Sequence, residues 1–315
     1  MSDATIVSIR DLRVEFDSEL GSTQALKGIN LDIKQSRTTA IVGESGSGKS
    51  VTAFAMMRLI QKPGRITHGE ILFTPKNKDT LDVLQIPDNS DTLYDLRGGK
   101  MAMIFQEPMT ALSPVHTIGD QVMEAILTHQ SVTKDEAFTR AADMLKRVGI
   151  SDAEQRMSQY PFEFSGGMRQ RVVIAMALVC EPELLICDEP TTALDVTIQA
   201  EILALIRELK AAMDTSVLFI THDLGVVAQI ADDVVVMHRG RVLETGTVRQ
   251  ILKDPLHPYT KGLLAAMPAA RARGRLDTVI DLVTEEDMLP HPLIEIRDER
   301  KLALPLDRIP QAMRL

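Results

Sequence analysis

The sequence predicts an α/β fold built around a parallel sheet, with further elements at both ends of the chain. The apolar run TAIV precedes a glycine-rich segment, GESGSGKS, at residues 43–50, and an apolar helical stretch follows it. Two more apolar β segments, 183–187 and 216–220, are separated by the helical pattern AEILALIRELKAAM. Strands that alternate with helices indicate βαβ units, whose strands are parallel and whose ligands lie beyond the carboxyl ends of the strands.

Short β segments open the chain between residues 6 and 32, where valine, leucine and phenylalanine alternate with charged residues and predict an antiparallel region. An Asn/Asp-rich patch at 76–95 indicates a surface insertion. Apolar residues recur at helical spacing over 118–148, which predicts a mainly helical subdomain. From residue 254 onward, proline-punctuated segments without a clear period predict an appended C-terminal region.

Composition excludes several classes of protein. The 315 residues are 44% hydrophobic and 25% charged, as in a globular chain with a sizeable core. The net charge of -9 argues against a broad surface for nucleic acid or anionic membranes, while a local basic cluster stays open at RARGR, residues 271–275. The first ten residues do not resemble a signal peptide, which predicts a cytoplasmic chain.

Two further features concern the compartment of the chain. The longest apolar run, 172–180, is far shorter than the roughly 20 residues of a membrane helix, so membrane association is expected only through partners. The two cysteines, Cys180 and Cys187, lie in apolar segments and lack metal-ligand spacing. We interpret them as reduced core residues, in keeping with a reducing compartment.

The segment GESGSGKS is a complete GxxxxGK[ST] phosphate-binding pattern. Its glycines let the backbone turn tightly, so that N–H groups point toward phosphates at the positive end of the next helix. Lys49 can then reach the terminal phosphates, and the Ser50 hydroxyl can ligate Mg²⁺. The alternative is a glycine-rich turn with a chance lysine, which the strand-loop-helix context disfavours. The residues expected to bind nucleotide here are Gly43, Glu44, Ser45, Gly46, Ser47, Gly48, Lys49, Ser50 and Val51.

Two adjacent carboxylates, Asp188 and Glu189, follow the apolar run LLIC. Neighbouring residues point in different directions, so one carboxylate can hold a metal while the other addresses water. We expect Asp188 to bind Mg²⁺, directly or through a water, and Glu189 to polarise the water that attacks the terminal phosphate. An acidic turn at a strand end is the alternative, and it would be favoured for an Asp-Glu pair without a phosphate loop.

A third motif, FSGGMRQR at residues 164–171, resembles the LSGGQ signature of the nucleotide-binding subunits of ABC transporters. The resemblance implies a P-loop NTPase (RecA-like) core with an N-terminal antiparallel β region, a helical subdomain and a C-terminal extension. It also implies that Ser165, Gly166 and Gly167 offer a hydroxyl and backbone N–H groups to the γ-phosphate of ATP on a partner subunit. Two chains would thus enclose two ATP molecules.

The same resemblance implies the domain boundaries. We expect an ABC nucleotide-binding domain at residues 1–253. Its RecA-like core covers about 1–106 and 180–253, and its helical subdomain covers about 107–179. Residues 254–315 are expected to form a C-terminal extension of the oligopeptide-importer type.

Four more residues match positions with a role in this family. Gln106, in MIFQEP, matches the glutamine that joins the Mg²⁺ and water site and links the core to the helical subdomain. Asp195 matches the aspartate that bridges the two subunits near the attacking water, and His222 matches the switch histidine that contacts the γ-phosphate. Phe16 falls where the family supplies a ring to stack on adenine, with a core strand residue as the alternative. Met168 departs from the signature, since methionine cannot make the polar contacts of the usual glutamine.

Four motifs resemble the oligopeptide and dipeptide importer branch of the family. They are VGESGSGKS, IFQEPMTALSP, FSGGMRQR and the C-terminal HPYT at residues 257–260, which is followed by LLAAMP. The resemblance covers roughly residues 5–268. Some members carry a cysteine cluster beyond this point, but no cysteine follows Pro268 in this sequence, so no iron–sulfur cluster is expected.

These resemblances imply an ATP-hydrolysing subunit that powers solute uptake, with oligopeptides or dipeptides as the expected solutes. The implied location is the cytoplasmic face of the inner (plasma) membrane, as a peripheral protein. The implied partners are two integral membrane permease subunits, a second ABC ATPase in a heterodimer rather than a homodimer, and indirectly an extracytoplasmic solute-binding protein. No nucleic-acid partner is expected. The surface that receives the permease is expected near residues 106–115.

Three alternatives stay open at this point. The solute can instead be an oligosaccharide, an opine-like conjugate or a nickel chelate. A soluble ABC ATPase that acts on ribosomes or DNA is a second class, but such proteins usually carry fused nucleotide domains or long insertions, and this sequence has one phosphate loop and neither insertion. A regulatory protein that binds ATP without hydrolysing it is a third class, which Glu189 and His222 argue against.

Overall fold

Two β-sheets and a set of helices make up the computed structural model, which describes residues 4–19, 21–76, 78–106, 111–192, 194–266, 289 and 291–314. The strands within these ranges are β1 (Thr5–Ser18), β2 (Gly21–Lys34), β3 (Thr38–Val42), β4 (Gly64–Phe73), β5 (Leu81–Asp82), β6 (Met101–Ile104), β7 (Leu184–Asp188), β8 (Ser216–Thr221), β9 (Asp233–His238), β10 (Arg241–Thr247), β11 (Ile294–Ile296) and β12 (Arg300–Leu302). The helices are α1 (Lys49–Met56), α2 (Asp91–Tyr94), α3 (Ile118–His129), α4 (Lys134–Arg147), α5 (Ala153–Arg156), α6 (Gly166–Leu178), α7 (Val196–Met213), α8 (Leu224–Ile230), α9 (Val248–Lys253) and α10 (Pro258–Ala265).

The larger sheet has the strand order β11-β12-β10-β9-β3-β8-β7-β6. Its segment from β9 to β6 is parallel, whereas β10, β12 and β11 are added in antiparallel pairs. The parallel sheet predicted from the βαβ pattern is thus confirmed. Every residue of β3, β7 and β8 is buried, which explains why these strands are continuous apolar runs rather than alternating patterns.

The smaller sheet, with the order β2-β1-β4-β5, is antiparallel and confirms the predicted N-terminal β region. It packs with α1 against one face of the parallel sheet. Successive residues of a strand point to opposite faces of a sheet, so the residues of β7 alternate between two hydrophobic clusters. Leu184 and Ile186 of β7 pack in the cluster that includes the small sheet, while Leu185 and Cys187 pack in the cluster that includes α3, α4 and α6. Each fully buried leucine or isoleucine in these clusters contributes about 1.5–3 kcal/mol relative to an exposed one.

The helical prediction for residues 118–148 is confirmed by α3 and α4. Thr117 caps α3 by accepting a hydrogen bond from the Asp120 N–H, and Thr133 and Glu136 form a capping box at the start of α4. Both helices pack with α6 in one hydrophobic cluster, so they fix the helix that carries the signature motif. None of the helices in the described ranges is long and apolar enough to cross a membrane.

The composition of residues 76–95 predicts a surface insertion, but the described residues of this segment contribute to the smaller sheet and to the core. The strand β5 pairs with β4, and the side chains of Val83 and Leu93 are buried. Val83 lies in the short run LDVLQI and Leu93 in DTLYD, and neither run is long enough to show a helix or strand period.

The described part of the C-terminal region also contains more secondary structure than its weak pattern predicts. Arg300 on β12 is 1% exposed and pairs with the fully buried Glu244 of β10, with 2.5 Å between Nη2 and Oε1. The same guanidinium donates to the carbonyl of Asp254 at 2.8 Å. This contact joins the C-terminal strands to the core sheet. The basic segment at 271–275 lies outside the described residues.

Both cysteines are free thiols, as predicted. Cys187 is buried within β7, and Cys180 is half-buried, with its thiol donating to the carbonyl of Ala125 at 3.4 Å. Burial raises the pKa of Cys180 to about 11, so this thiol stays protonated at neutral pH.

Candidate nucleotide-binding site

The phosphate loop runs from the end of β3 to the start of α1 and passes through a narrow space. A Cβ atom on Gly43 would lie 2.1 Å from the carbonyl oxygen of Met237 on β9. Gly48 has a φ of 101°, and a Cβ atom there would lie 2.8 Å from Cδ2 of Leu26 on β2. Neighbouring strands therefore leave room only for glycine at these two positions. The other residues predicted to bind nucleotide lie in the same segment. Glu44, Ser45 and Gly46 are exposed, Ser47 is buried, and Val51 lies in the first turn of α1.

Lys49 folds back over the loop that precedes it. Its ammonium group donates to the carbonyls of Gly43 and Glu44 at 3.0 and 2.9 Å, and the residue is only 5% exposed. Burial lowers the pKa of Lys49, while the charges of Glu189 and Asp188 oppose this change. A cation with neutral carbonyl partners in a buried position is well suited to bind an anionic phosphate instead.

The contact between Ser50 and Asp188 joins the phosphate loop to β7, which is separated from β3 by β8. The Ser50 hydroxyl donates to Oδ1 of Asp188 at 3.0 Å, and Asp188 is 1% exposed at the end of β7. Burial raises the pKa of Asp188, and the nearby Glu189 carboxylate raises it further, whereas the Ser50 hydrogen bond lowers it. A hydroxyl and a carboxylate this close together supply oxygen ligands of the kind that Mg²⁺ prefers.

Glu189 is the centre of a second group of side chains. Its backbone has a φ of 48°, which is uncommon for a residue other than glycine. Its Oε1 lies 3.1 Å from Nδ1 of His222, while its Oε2 accepts hydrogen bonds from Thr192 Oγ1 at 3.0 Å and Gln106 Nε2 at 3.4 Å. The structure therefore brings the three residues predicted to be catalytic, Gln106, Glu189 and His222, into direct contact.

Ser165 and Asp195 lie at the starts of two neighbouring helices, α6 and α7. The Ser165 hydroxyl accepts a hydrogen bond from the Met168 N–H at 3.3 Å, and Asp195 accepts one from the Ile198 N–H at 2.9 Å. A Cβ atom on Gly167 would lie 3.3 Å from Cγ2 of Ile198, so the two helix starts lie side by side.

Ser165, Gly166 and Asp195 are all exposed at these helix starts. The hydrogen bonds that the structure gives Ser165 and Asp195 are to their own helices rather than to the Glu189 group. The signature residues thus form a separate surface that faces outward.

Phe16 lies on β1, opposite Gly64 of β4 and Thr23 of β2. It is half-buried at the margin of the core cluster, and a Cβ atom on Gly64 would lie 2.6 Å from its ring carbon Cε1. The ring therefore lies against the backbone of Gly64. Stacking of this ring on adenine stays a prediction.

Thr192 and Gln170 also contact the site, and the sequence reasoning missed both. The Thr192 hydroxyl donates to Glu189. The fully buried Gln170 of α6 donates to the carbonyl of Pro190 at 2.7 Å and so ties the signature helix to the turn that carries Glu189. The available signal was the position of Gln170, which only Arg171 separates from the apolar run VVIAMAL. A buried amide requires a hydrogen-bond partner.

A parallel sheet with a phosphate loop after β3 and paired carboxylates at the end of β7 defines the class of P-loop nucleotide-binding ATPases. Comparison with known families is more specific. The family described as "ABC transporter" matches residues 26–192, and the family described as "Oligopeptide/dipeptide transporter, C-terminal region" matches residues 243–290. This chain belongs to the ABC transporter family.

Individual relatives agree with this assignment. The chain is 49% identical over 288 residues to the oligopeptide transport ATP-binding protein OppD of Bacillus subtilis (strain 168), which covers 91% of this chain and 78% of that protein. It is also 49% identical over 288 residues to the dipeptide transport ATP-binding protein DppD of the same organism, covering 91% and 84% of the two chains.

A solved structure of a dimeric ATP-binding cassette, in a post-hydrolysis state with ADP and Pi, superposes with a TM-score of 0.66 at 27% identity. The superposition covers 77% of this chain and 99% of that one. The cassette binds ATP, and ATP hydrolysis coupled to transport is the activity of the family, so this chain is an ATPase.

Proposed function

We propose that this chain is the ATP-hydrolysing subunit of an importer for oligopeptides or dipeptides. The observation that carries the proposal is the Glu189 group, which joins Gln106, Thr192 and His222 beside the Ser50–Asp188 contact. The match of the C-terminal region and the similarity to OppD and DppD, which are oligopeptide and dipeptide transport ATP-binding proteins, support peptides as the solute. An oligosaccharide, an opine-like conjugate or a nickel chelate is the alternative.

In this proposal the phosphate loop binds the phosphates of ATP through its backbone N–H groups and Lys49. Lys49 exchanges its two carbonyl partners for phosphate oxygens. Ser50, Asp188 and Gln106 are the residues that would hold Mg²⁺, since each carries an oxygen donor at the same end of the parallel sheet. Bound there, the ion neutralises charge on the phosphates.

Glu189 acts as the general base toward the attacking water. It is suited to this role because its carboxylate is 13% exposed and is held from three sides by side chains that can reorient around a substrate. His222 fixes one carboxylate oxygen through Nδ1 and is itself 60% exposed, so its ring can reach a γ-phosphate. Gln106 and Thr192 fix the other oxygen.

Replacing Glu189 with glutamine tests this assignment. Glu189→Gln keeps the size of the side chain and removes the base, so we expect the hydrolysis rate to fall about 100-fold or more while ATP affinity is retained. The measurements are phosphate release at saturating Mg-ATP and equilibrium ATP binding. Glu208→Gln, at an exposed position on α7, is the matched control and should hydrolyse ATP like the parent. Unchanged turnover in Glu189→Gln would remove Glu189 from the mechanism.

The rest of the assembly is part of the same proposal. Two ATPase chains enclose two ATP molecules, with Ser165, Gly166 and Gly167 of one chain on the γ-phosphate bound by the other and Asp195 beside the junction. The exposure of the signature surface supports this arrangement. The second chain is a different ABC ATPase rather than a copy of this one. Phe16 stacks on adenine.

The ATPase pair works with two integral membrane permease subunits at the cytoplasmic face of the inner membrane, and a solute-binding protein delivers the peptide from outside. The permease contacts the surface near residues 106–115, of which 107–110 lie outside the described residues. Val115 is 73% exposed, which supports a contact there. The acidic net charge supports the absence of a nucleic-acid partner, and the lack of cysteines beyond Pro268 supports the absence of an iron–sulfur cluster.

We propose the domain division that the family implies. The nucleotide-binding domain covers 1–253, with a RecA-like core at about 1–106 and 180–253 and a helical subdomain at about 107–179. Residues 254–315 form the extension. The packing of α3, α4 and α6 against one another in one hydrophobic cluster supports the helical subdomain, although this cluster also includes residues of the parallel sheet.

A further inference from the structure

The C-terminal HPYT segment reaches the phosphate loop through Tyr259. The hydroxyl of Tyr259 accepts a hydrogen bond from the backbone N–H of Glu44 at 3.4 Å, although the two residues are 215 positions apart in the chain. Tyr259 is only 7% exposed, and its ring centroid lies 4.4 Å from that of His238 at the end of β9. A buried tyrosine of the extension therefore contacts the backbone of the exposed residue Glu44 in the loop.

Both backbone polar groups of Glu44, its N–H and its carbonyl, have hydrogen-bond partners. Its carbonyl accepts hydrogen bonds from the Lys49 ammonium at 2.9 Å and from the Ser47 N–H at 3.2 Å, while its N–H donates to Tyr259. If Lys49 moves to a phosphate, the carbonyl loses one of its partners. The bond to Tyr259 does not depend on Lys49, so it can persist when nucleotide is bound.

The position of Tyr259 is fixed by groups that do not touch the loop. Tyr259 lies in the first turn of α10, where its N–H donates to Nδ1 of His257 at 3.1 Å. The N–H groups of Leu256 and His257 donate to the two oxygens of Glu244 at 2.9 and 3.1 Å. Glu244 in turn pairs with Arg300 of β12. A continuous set of buried polar contacts thus leads from the C-terminal strands to the phosphate loop.

We propose that Tyr259 is a positioning residue that holds the Glu44 amide, so that the phosphate loop has its binding conformation before ATP arrives. The inference rests on the proposed function, because it assumes that this loop binds ATP. Without the hydroxyl, the Glu44 N–H can bond to water and the loop can populate other conformations. The apparent affinity for ATP then falls in proportion to the fraction of molecules whose loop has the binding conformation.

Tyr259→Phe in the full chain separates this role from simple packing, because phenylalanine keeps the ring against His238 and removes only the hydroxyl. Loss of one neutral hydrogen bond should weaken Mg-ATP binding about threefold to tenfold. The hydrolysis rate at saturating Mg-ATP should stay within about twofold of the parent, because the Glu189 group is untouched. Binding is measured by calorimetry, and KM and kcat by phosphate release.

A melting curve with and without Mg-ATP distinguishes positioning from structural support. The stabilisation by Mg-ATP should shrink in Tyr259→Phe, since ligand stabilisation follows affinity. Tyr94→Phe, at an exposed position on α2, is the matched control and should behave like the parent. Unchanged ATP affinity in Tyr259→Phe would overturn the inference. A lower melting temperature without nucleotide, combined with a lower kcat, would overturn it in favour of a purely structural role.

If the proposed function itself is wrong, the experiments give results that differ from those expected when only the positioning role of Tyr259 is wrong. If the unmodified chain binds no Mg-ATP, or if Glu189→Gln hydrolyses ATP at the parental rate, the function assigned to the loop or to Glu189 is wrong. A parent that binds and hydrolyses ATP, beside a Tyr259→Phe variant with parental affinity, overturns only the positioning role.

Discussion

Asp188 shows how ligand binding and stability oppose each other at a single residue. Its carboxylate is buried at the end of β7, beside the like charge of Glu189, and both conditions raise its pKa. At neutral pH the folded protein therefore holds a charge that is less favourable there than in water. Such a charge is useful only when a cation lies next to it, which agrees with the proposed Mg²⁺ site.

Asp188→Asn should accordingly raise the melting temperature of the nucleotide-free protein at pH 7 and abolish Mg²⁺-dependent hydrolysis. The sign follows from the raised pKa: the folded state is favoured most when Asp188 is protonated, and this contribution is lost as pH rises through the folded pKa. The advantage of asparagine should therefore disappear as pH falls below the usual range of an aspartate. Melting curves from about pH 3 to about pH 8 measure this change, because the series must extend below the usual pKa of an aspartate.

Asp143→Asn, on the exposed side of α4, is the control and should leave both properties unchanged. A melting temperature at pH 7 below that of the parent would contradict the prediction for Asp188. It would mean that the interactions of the Asp188 charge with Ser50 and Lys49 stabilise the folded protein more than burial of the charge destabilises it.

Single residues were predictable from the sequence when their motif was contiguous. The phosphate loop and the Asp188–Glu189 pair each follow an apolar strand directly, so composition and spacing identify them. Thr192 and Gln170 could not be identified in this way, because their roles depend on contacts that fold brings about between separate segments. Tyr259 was included in the HPYT motif, but its partner on the loop is 215 positions away.

At the scale of elements, the C-terminal strands depend on one buried ion pair. Arg300 is 1% exposed and Glu244 is fully buried, and the carboxylate also accepts two backbone N–H groups. These strands were not predicted because each has only three residues, too few for an alternating pattern. Their order comes from the pairing with β10 rather than from local sequence.

Arg300→Met should destabilise the protein by about 3–5 kcal/mol, because it leaves the buried Glu244 carboxylate with two backbone N–H donors but without a cationic partner. Chemical denaturation, followed by circular dichroism, measures the change. Arg297→Met alters an exposed arginine in the same part of the extension and should change stability by less than about 0.5 kcal/mol. Equal stabilities of the two variants would show that the buried pair does not anchor the extension.

At the scale of the whole molecule, the two parts of the proposed ATP site face different surroundings. The phosphate loop contacts Asp188, the residue before Glu189, at the carboxyl edge of the parallel sheet, whereas Ser165 and Asp195 lie exposed at the starts of α6 and α7. In the proposed assembly, a second chain brings its signature surface to the γ-phosphate held by this loop. The core topology was predictable from alternating strands and helices, but the partner of the outward-facing surface is not encoded in any local pattern.

Ser165→Arg should abolish ATP-dependent pairing while leaving ATP binding by the phosphate loop intact, because a long cation replaces the small hydroxyl only on the outward-facing surface. The assay uses the Glu189→Gln background to retain ATP, with mass photometry of this chain alone and mixed with the second ATPase of its transporter. Pairing only in the mixture supports the heterodimer, and pairing alone supports a homodimer.

Ser131→Arg, an exposed change between α3 and α4, is the control for the added charge. If Ser165→Arg pairs as readily as its background, the signature surface does not face the ATP of a partner.

The short strands of the extension have one more consequence. Without them, the seven residues of β10 would lie at the margin of the sheet, with a row of unpaired backbone N–H and C=O groups. Such an open margin can recruit a strand from another molecule, whereas a three-residue strand offers too little length for this. Because β12 and β11 end the sheet, the extension also reduces aggregation in which a strand of another molecule pairs with β10.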